Sequence, residues 1–204
     1  EAYLTPGTPR GERKRVRWGK GDVAEEGGND VAGGGAYTHM TMWAESTAGM
    51  HNLFRLSSRS SLEGYFYKPR MDKEILAEHS RGLIVSTGCP SGAIQTRLRL
   101  GQWDEAVREA GELQDIFGRD NVFLELMDHG ISIEKRVRDD LLHLGAQDGV
   151  GCAVGREVEE HLEGDRVVAR LEDGRTGGQP HLPGRVIAGG DGRGNGVAED
   201  FPAA

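Results

Sequence analysis

The chain is 204 residues long, with 25 Lys and Arg against 33 Asp and Glu, a formal net charge of -8 and 36% hydrophobic residues. That length allows one well-buried core, or one domain with a tail, and the low apolar content predicts that part of the chain packs poorly. The acidic balance excludes a global basic footprint of the kind that drives non-specific nucleic-acid binding, so any such contact must be local. The 32 glycines concentrate at 21–35 and from 145 onward, which puts the ordered core between those stretches. Cys89 and Cys152 stand far apart in unlike settings, giving neither a disulfide framework nor a Cys-x-x-Cys pair, and a reducing cytoplasm suits them. No apolar run approaches the length of a membrane span, and the start has no signal-type pattern. The chain opens on Glu1 rather than Met, as a piece of something longer would.

Residues 1–36 read as a loop-rich segment whose densest basic cluster is Arg10, Arg13, Lys14, Arg15, Arg17 and Lys20. Pro6, Pro9 and several glycines argue for a solvated loop, with a phosphate-contacting arm as the alternative. Alternation over 37–44 suits a strand, with Tyr37, His39, Thr41 and Trp43 on one face and Met40 and Met42 on the other. Ser46 or Thr47 can cap a helix through Leu53, Phe54 and Leu56, and the serines at 57–61 are expected to end it by hydroxyl competition. Asp72 is a good N-cap for a short helix over 73–79, and Gly82 marks its exit. The run at 83–87 is a buried strand, followed after the Gly88-Cys89-Pro90-Ser91-Gly92 turn by a helix with Ile94 and Leu98. A second helix runs from Asp104 to Ile116 and closes at Phe117-Gly118. A third strand covers 121–127, and Ser132 caps a helix whose Ile133, Val137, Leu141 and Leu144 form one apolar stripe. Strands alternating with helices at this spacing imply an α/β fold with parallel pairing, either an open sheet or part of a barrel, with chemistry at the strand ends.

From 147 the pattern changes. Val154, Val158 and Leu162 before Gly164-Asp165, with Val167, Val168, Ala169 and Leu171 after it, read as a hairpin within a Gly-rich tail.

Taken singly, few residues announce chemistry. His39 on a strand is either structural or a ligand, and Cys89 at a Gly-Cys-Pro turn is either a small buried hydrophobe or a ligand. Asp128 and His129 close the third strand, where they could fix the following turn or support ligands gathered at that end. His51, His79, His143, His161 and His181 lack partners at ligand spacing and suit solvated or helix-end roles.

Three phrases change that weighting when taken in order: Tyr37-Thr38-His39-Met40-Thr41, Ser86-Thr87-Gly88-Cys89-Pro90-Ser91-Gly92, and Phe123-Leu124-Glu125-Leu126-Met127-Asp128-His129-Gly130. Together they resemble the PHP (polymerase and histidinol phosphatase) domain of bacterial DNA polymerase III α subunits, especially the actinobacterial form, over 1–146. The Arg70-Met71-Asp72 and Arg97-Leu98-Arg99-Leu100-Gly101 stretches look like the polymerase branch rather than a free-standing phosphoesterase. The resemblance implies an incomplete, distorted (β/α) barrel with parallel strands, in three parts. These are an N-terminal strand remnant and basic loop at 1–36, a partial PHP domain at 37–146, and a divergent tail at 147–204.

In that family the histidine of the Tyr-x-His phrase is a metal ligand, which assigns His39, and a cysteine ligand at this strand end assigns Cys89. Glu1, opening Glu1-Ala2-Tyr3, matches a Glu-x-Tyr phrase whose carboxylate is also a ligand, although a chain-terminal glutamate is ordinarily exposed and mobile. A thiolate among the ligands biases the site toward zinc. The implied chemistry is a divalent-metal cluster that binds a phosphodiester and activates water, linked to 3′ to 5′ exonuclease proofreading. The implied partners of the full-length parent are DNA and other replicase subunits. The family's opening His-x-His and late Asn-Asp-x-His phrases do not occur in the sequence, and the first belongs upstream of Glu1. The chain therefore reads as an inactive piece of a DNA-directed DNA polymerase, or alternatively as a non-catalytic scaffold with a vestigial metal site.

The tail phrase Arg185-Val186-Ile187-Ala188-Gly189-Gly190-Asp191-Gly192-Arg193-Gly194 is similar to the Gly-Asp phrase of FAD-dependent monooxygenases. No Gly-x-Gly-x-x-Gly follows a strand upstream, so FAD is not expected. A frameshift, a joined gene fragment and a true variant C-terminus all remain open for the tail.

Overall fold

The structure is a computed structural model that describes residues 1–19, 31–128, 130–148, 151–156, 166–168 and 187–188. The chain divides into two units, Glu1–Val122 and Phe123–Ala204.

The first unit is built around four strands. In chain order it contains β1 (Ala2–Leu4), the single turn α1 (Ala32–Gly35), β2 (Thr38–Ala44), α2 (Thr47–Glu63), β3 (Arg70–Met71), α3 (Lys73–Glu78), β4 (Leu83–Ser86), α4 (Ala93–Arg99) and α5 (Trp103–Phe117). The strand order is β3-β1-β2-β4. β1 runs parallel to β3, with Tyr3 opposite Arg70, and antiparallel to β2, with Tyr3 opposite His39. β2 is also antiparallel to β4, pairing Thr41 with Ser86.

The α/β class with parallel strands is as the sequence implies, but β2 is reversed relative to both neighbours. The link from β1 to β2 contains only the one-turn α1 among its described residues, and an antiparallel pair needs no crossover helix. Among the described residues the strands form an open order rather than a closed barrel.

Alternation along β2 buries Thr38 and Met40 and leaves His39 and Thr41 partly accessible. The core of the unit combines Leu4, Met40, Leu56, Ile75, Leu76 and Val85 with the inner faces of α4 and α5, including Ile94, Ala110 and Leu113. Ser46 caps α2 by accepting from the Gly49 N–H, and Asp72 caps α3 by accepting from the Ile75 N–H.

The serine run does not end α2, which continues to Glu63. The Ser60 and Ser61 hydroxyls donate back to the Ser57 carbonyl, so they satisfy themselves within the helix instead of competing with it. Gly49 and Gly82 bring the first turn of α2 against the approach to β4, because a Cβ at Gly49 would collide with the Gly82 carbonyl.

In the second unit, β5 (Val122–Asp128), α6 (Ser132–Asp148) and β6 (Gly151–Arg156) make a parallel strand-helix-strand unit. β7 (Arg166–Val168) pairs antiparallel with β6, and β8 (Ile187–Ala188) pairs antiparallel with β7; Val158, Leu162 and the expected turn at Gly164-Asp165 lie outside the described residues. The Gly-Asp phrase after β8 lies outside the described residues.

Candidate metal centre

Two strands and a turn converge on His39. It is the second residue of β2, directly opposite Tyr3 of β1, so the residues flanking β1 on the same face lie beside its imidazole. The turn after β4 folds back onto the start of β2: the His39 N–H donates to the Ser91 carbonyl at 3.1 Å, and the Gly92 N–H to the Cys89 carbonyl at 2.7 Å. Gly88 sits in the left-handed region at φ 74°.

Gln95, fully buried on α4, reaches into this turn. Its Nε2 donates to the Gly88 carbonyl at 2.8 Å and to the Thr87 hydroxyl at 2.7 Å.

The outcome is a three-donor convergence. Glu1 Oε1 lies 2.6 Å from His39 Nδ1, and Cys89 Sγ lies 3.3 Å from the same nitrogen. Glu1 is thus brought to His39 even though half of its side chain remains exposed. Tyr3 donates its hydroxyl to Glu1 Oε2 at 3.3 Å. The Tyr37 ring stacks on the imidazole at 5.7 Å between centroids, and the Tyr3 ring meets it edge-on at 5.5 Å. Cys89 is a free, half-buried thiol.

Burial pushes the His39 imidazolium below its ordinary value; the Glu1 carboxylate opposes that shift and the Lys68 ammonium adds to it. A neutral imidazole is the form that binds metal.

Carboxylate, imidazole and thiol make a donor set that zinc accepts. The 2.6 Å approach of Glu1 to His39 is a hydrogen-bond distance. Two ligands on one tetrahedral zinc stand about 3.3 Å apart, given bonds of about 2.0–2.1 Å. A half-exposed carboxylate has the freedom to swing that far. Among the described residues, no group of three or more His, Cys, Asp or Glu side chains is already spread around a position that could hold an ion.

The other sequence candidates are placed differently. Asp128 ends β5, but its side chain and the whole of His129 lie outside the described residues. His79 takes the C-cap position of α3, a helix-end role. His51 and His143 are exposed.

The basic segment is not a free arm at its start. Arg10 binds Asp72, Glu63 and Glu74, at 3.1, 2.6 and 2.7 Å. Arg15 donates to the Tyr67 hydroxyl. Lys20 lies outside the described residues.

Sequence reasoning missed Gln95 as the brace of the cysteine turn, and its signal was a polar residue set among the apolar positions of a buried helix. It also missed Arg70, which is 0% exposed and donates to the carbonyls of Gly64, Ala36, Arg10 and Glu12, at 3.0, 3.1, 3.1 and 2.7 Å.

A mixed α/β unit carrying a carboxylate, an imidazole and a thiol at one strand end is the class of protein that this geometry defines. The chain belongs to the PHP domain family, which it matches over residues 1–129. It is similar to the DNA polymerase III subunit alpha of Saccharopolyspora erythraea, 55% identical over 155 residues, which cover 74% of this chain and 13% of that protein. The Mycobacterium tuberculosis protein of the same name is 54% identical over 146 residues, 71% of this chain and 12% of the relative. That of Treponema pallidum is 37% identical over 134 residues, 66% of this chain and 12% of the relative. The chain thus spans about an eighth of the length of these relatives, and the matched region is the PHP part.

Proposed function

We propose that this chain is the PHP portion of a replicative DNA polymerase III α subunit and carries a partial metal site formed by Glu1, His39 and Cys89. The observation that supports it most directly is the approach of the Glu1 carboxylate and the Cys89 sulfur to one nitrogen of His39. Zinc is the metal of choice for a site that includes a thiolate. When bound, such an ion lowers the pKa of water and polarises a phosphoryl oxygen, which is the chemistry of a metal-dependent 3′ to 5′ exonuclease.

The chain's own contributions are distinct. Tyr3 steadies Glu1 through its hydroxyl, Tyr37 and Tyr3 wall the imidazole, and Gln95 and Ser91 hold the turn that presents Cys89. In this reading the full-length parent is a DNA-directed DNA polymerase of the cytoplasm, working with DNA and the other replicase subunits, and three donors alone leave this chain without activity.

A scaffold role with a vestigial site is the second reading, favoured because Glu1 Oε1 sits at hydrogen-bond distance from His39 Nδ1 and, among the described residues, no three donors surround one position. Elemental analysis of the purified chain beside His39→Ala and Cys89→Ser separates the two. Zinc near one ion per chain that is lost in both variants supports the metal site, and zinc absent from the parent chain leaves the scaffold.

A further inference from the structure

The cluster has a neighbour that the metal reading does not use. Lys68 is exposed, its ammonium lies 5.2 Å from the centroid of the Tyr3 ring, and its charge acts on both Tyr3 and His39. Several cations of this unit face carboxylates: Arg10 meets Asp72, Glu63 and Glu74, Arg59 meets Glu63 and Glu78, and Lys73 meets Glu109 and Glu112. Among the described residues Lys68 has no such partner, and the Tyr3 ring face is what holds it.

The backbone that presents Lys68 is constrained. Phe66 and Lys68 form an isolated antiparallel bridge, and Tyr67 between them is the one described non-glycine residue with a positive φ, 63°. Such a conformation persists only where the surroundings over-determine it. Here they do: Arg15 lies over the Tyr67 ring and donates to its hydroxyl, Phe66 meets Tyr67 edge-on, and Pro69 follows Lys68. The constrained turn therefore holds a cation without a carboxylate partner over the ring of Tyr3, the same residue whose hydroxyl donates to Glu1 and whose ring meets His39 edge-on.

We propose that Lys68 is a phosphate-binding residue that receives the backbone of a single-stranded DNA end entering the cluster, with the Tyr3 ring as its positioning surface. The proposal rests on the phosphodiester reading above for the identity of the anion. A chain with net charge -8 repels nucleic acid overall, so a local cation that no carboxylate neutralises has a disproportionate effect on where a phosphate settles.

The test uses the 204-residue chain and a short fluorescein-labelled oligothymidylate, followed by fluorescence anisotropy across a salt titration in EDTA. EDTA removes any dependence on bound zinc. Lys68→Met keeps a stem over Tyr3 and removes the charge, Lys68→Arg restores it, and Arg81→Met removes an exposed charge next to the start of β4, at the far end of β2.

The expected result is a slope of log affinity against log salt that falls by about 0.7 in Lys68→Met, one phosphate's worth on a single strand. This is about a threefold smaller affinity change between roughly 50 and 200 mM salt. Lys68→Arg and Arg81→Met should keep the parent slope, with unchanged thermal melts in all three. A Lys68→Met slope equal to the parent's, an equal loss in Arg81→Met, or no measurable binding by the parent chain overturns the proposal. Zinc retention is read separately, so loss of the metal site and loss of the Lys68 contact give different patterns.

Discussion

Replacing Arg70 with methionine isolates a fully buried polar anchor of the first unit. The side chain is 0% exposed, faces no carboxylate among its hydrogen-bond partners, and donates to four backbone carbonyls while stacking over Phe66 at 5.0 Å. Burial and the nearby Arg13 push its guanidinium below the ordinary arginine value, so the charge is tolerated because the carbonyls solvate it. In Arg70→Met the Arg10 and Glu12 carbonyls sit at partly exposed positions and can turn to water. The Ala36 carbonyl, on a residue 0% exposed, loses its donor outright, and the Gly64 carbonyl keeps only the long 3.4 Å bond from the Arg70 N–H. One stranded and one weakened buried acceptor, at about 1–3 kcal/mol each, set against the apolar gain of methionine, give a net loss of about 3 kcal/mol. For a chain of this size that is a fall in midpoint of roughly 6–12 °C. Thermal unfolding followed by circular dichroism measures it, with Arg70→Lys expected between parent and Met because one ammonium cannot span four acceptors in fork geometry. A midpoint within about 2 °C of the parent in Arg70→Met would refute the reasoning, since it corresponds to less than about 1 kcal/mol.

Gly49→Ala puts a methyl into the Gly82 carbonyl and should cost about 1–3 kcal/mol in urea unfolding, whereas Gly11→Ala, which meets nothing nearby, should be close to neutral. Gln95→Leu removes the donor to Gly88 and Thr87, so Cys89 should be alkylated faster by iodoacetamide, with peptide mapping separating it from Cys152; an unchanged rate would mean that the turn holds itself. Arg59, then Arg10, hold the Glu63 carboxyl down to about 2, below its ordinary 4.5. A depressed carboxyl stabilises the fold above its unfolded value and loses that contribution as pH falls through the folded one, so Glu63→Gln should flatten the stability profile between pH 4.5 and about 2 and leave the neutral region unchanged in slope.

How much of this was legible in the sequence depends on whether a feature is local. Caps and alternation are local, so a cap at Ser46 or Thr47, the cap at Asp72, a buried strand over 83–87 and the faces of β2 could be read directly, the structure choosing Ser46 and ending the strand at Ser86. The direction of β2 is not local: nothing within 37–44 says which neighbours it joins, and the strand-helix rhythm argued for parallel pairing. The end of α2 was misplaced because serine hydroxyls can compete with a helix or bond back into it, and only the completed helix decides. Arg10 looked like part of a basic arm because its partners, Asp72 and Glu63, are more than fifty positions away. Glu1, His39 and Cys89 were singled out by resemblance, and their meeting at Nδ1 depends on the register of β1 against β2, which no local rule supplies.

The structural arginine and the donor cluster form one device. β1 is three residues long and pairs with two strands, too little ladder to hold its own position. Arg70 stands opposite Tyr3 on β3, and its guanidinium ties the chain just before Tyr37 to the loop after β1 through the Ala36, Arg10 and Glu12 carbonyls. The same side chain therefore fastens both segments that bring Glu1 and His39 within 2.6 Å of one another. Arg10 reinforces it from outside, binding Asp72 through both its backbone N–H and its guanidinium, at the residue that caps α3 immediately after β3. For the metal site proposed above, Arg70→Met should lose a larger fraction of its zinc than of its secondary structure. The first contact to fail would be the register of β1, and with it the Glu1 carboxylate, before the helices that carry the core.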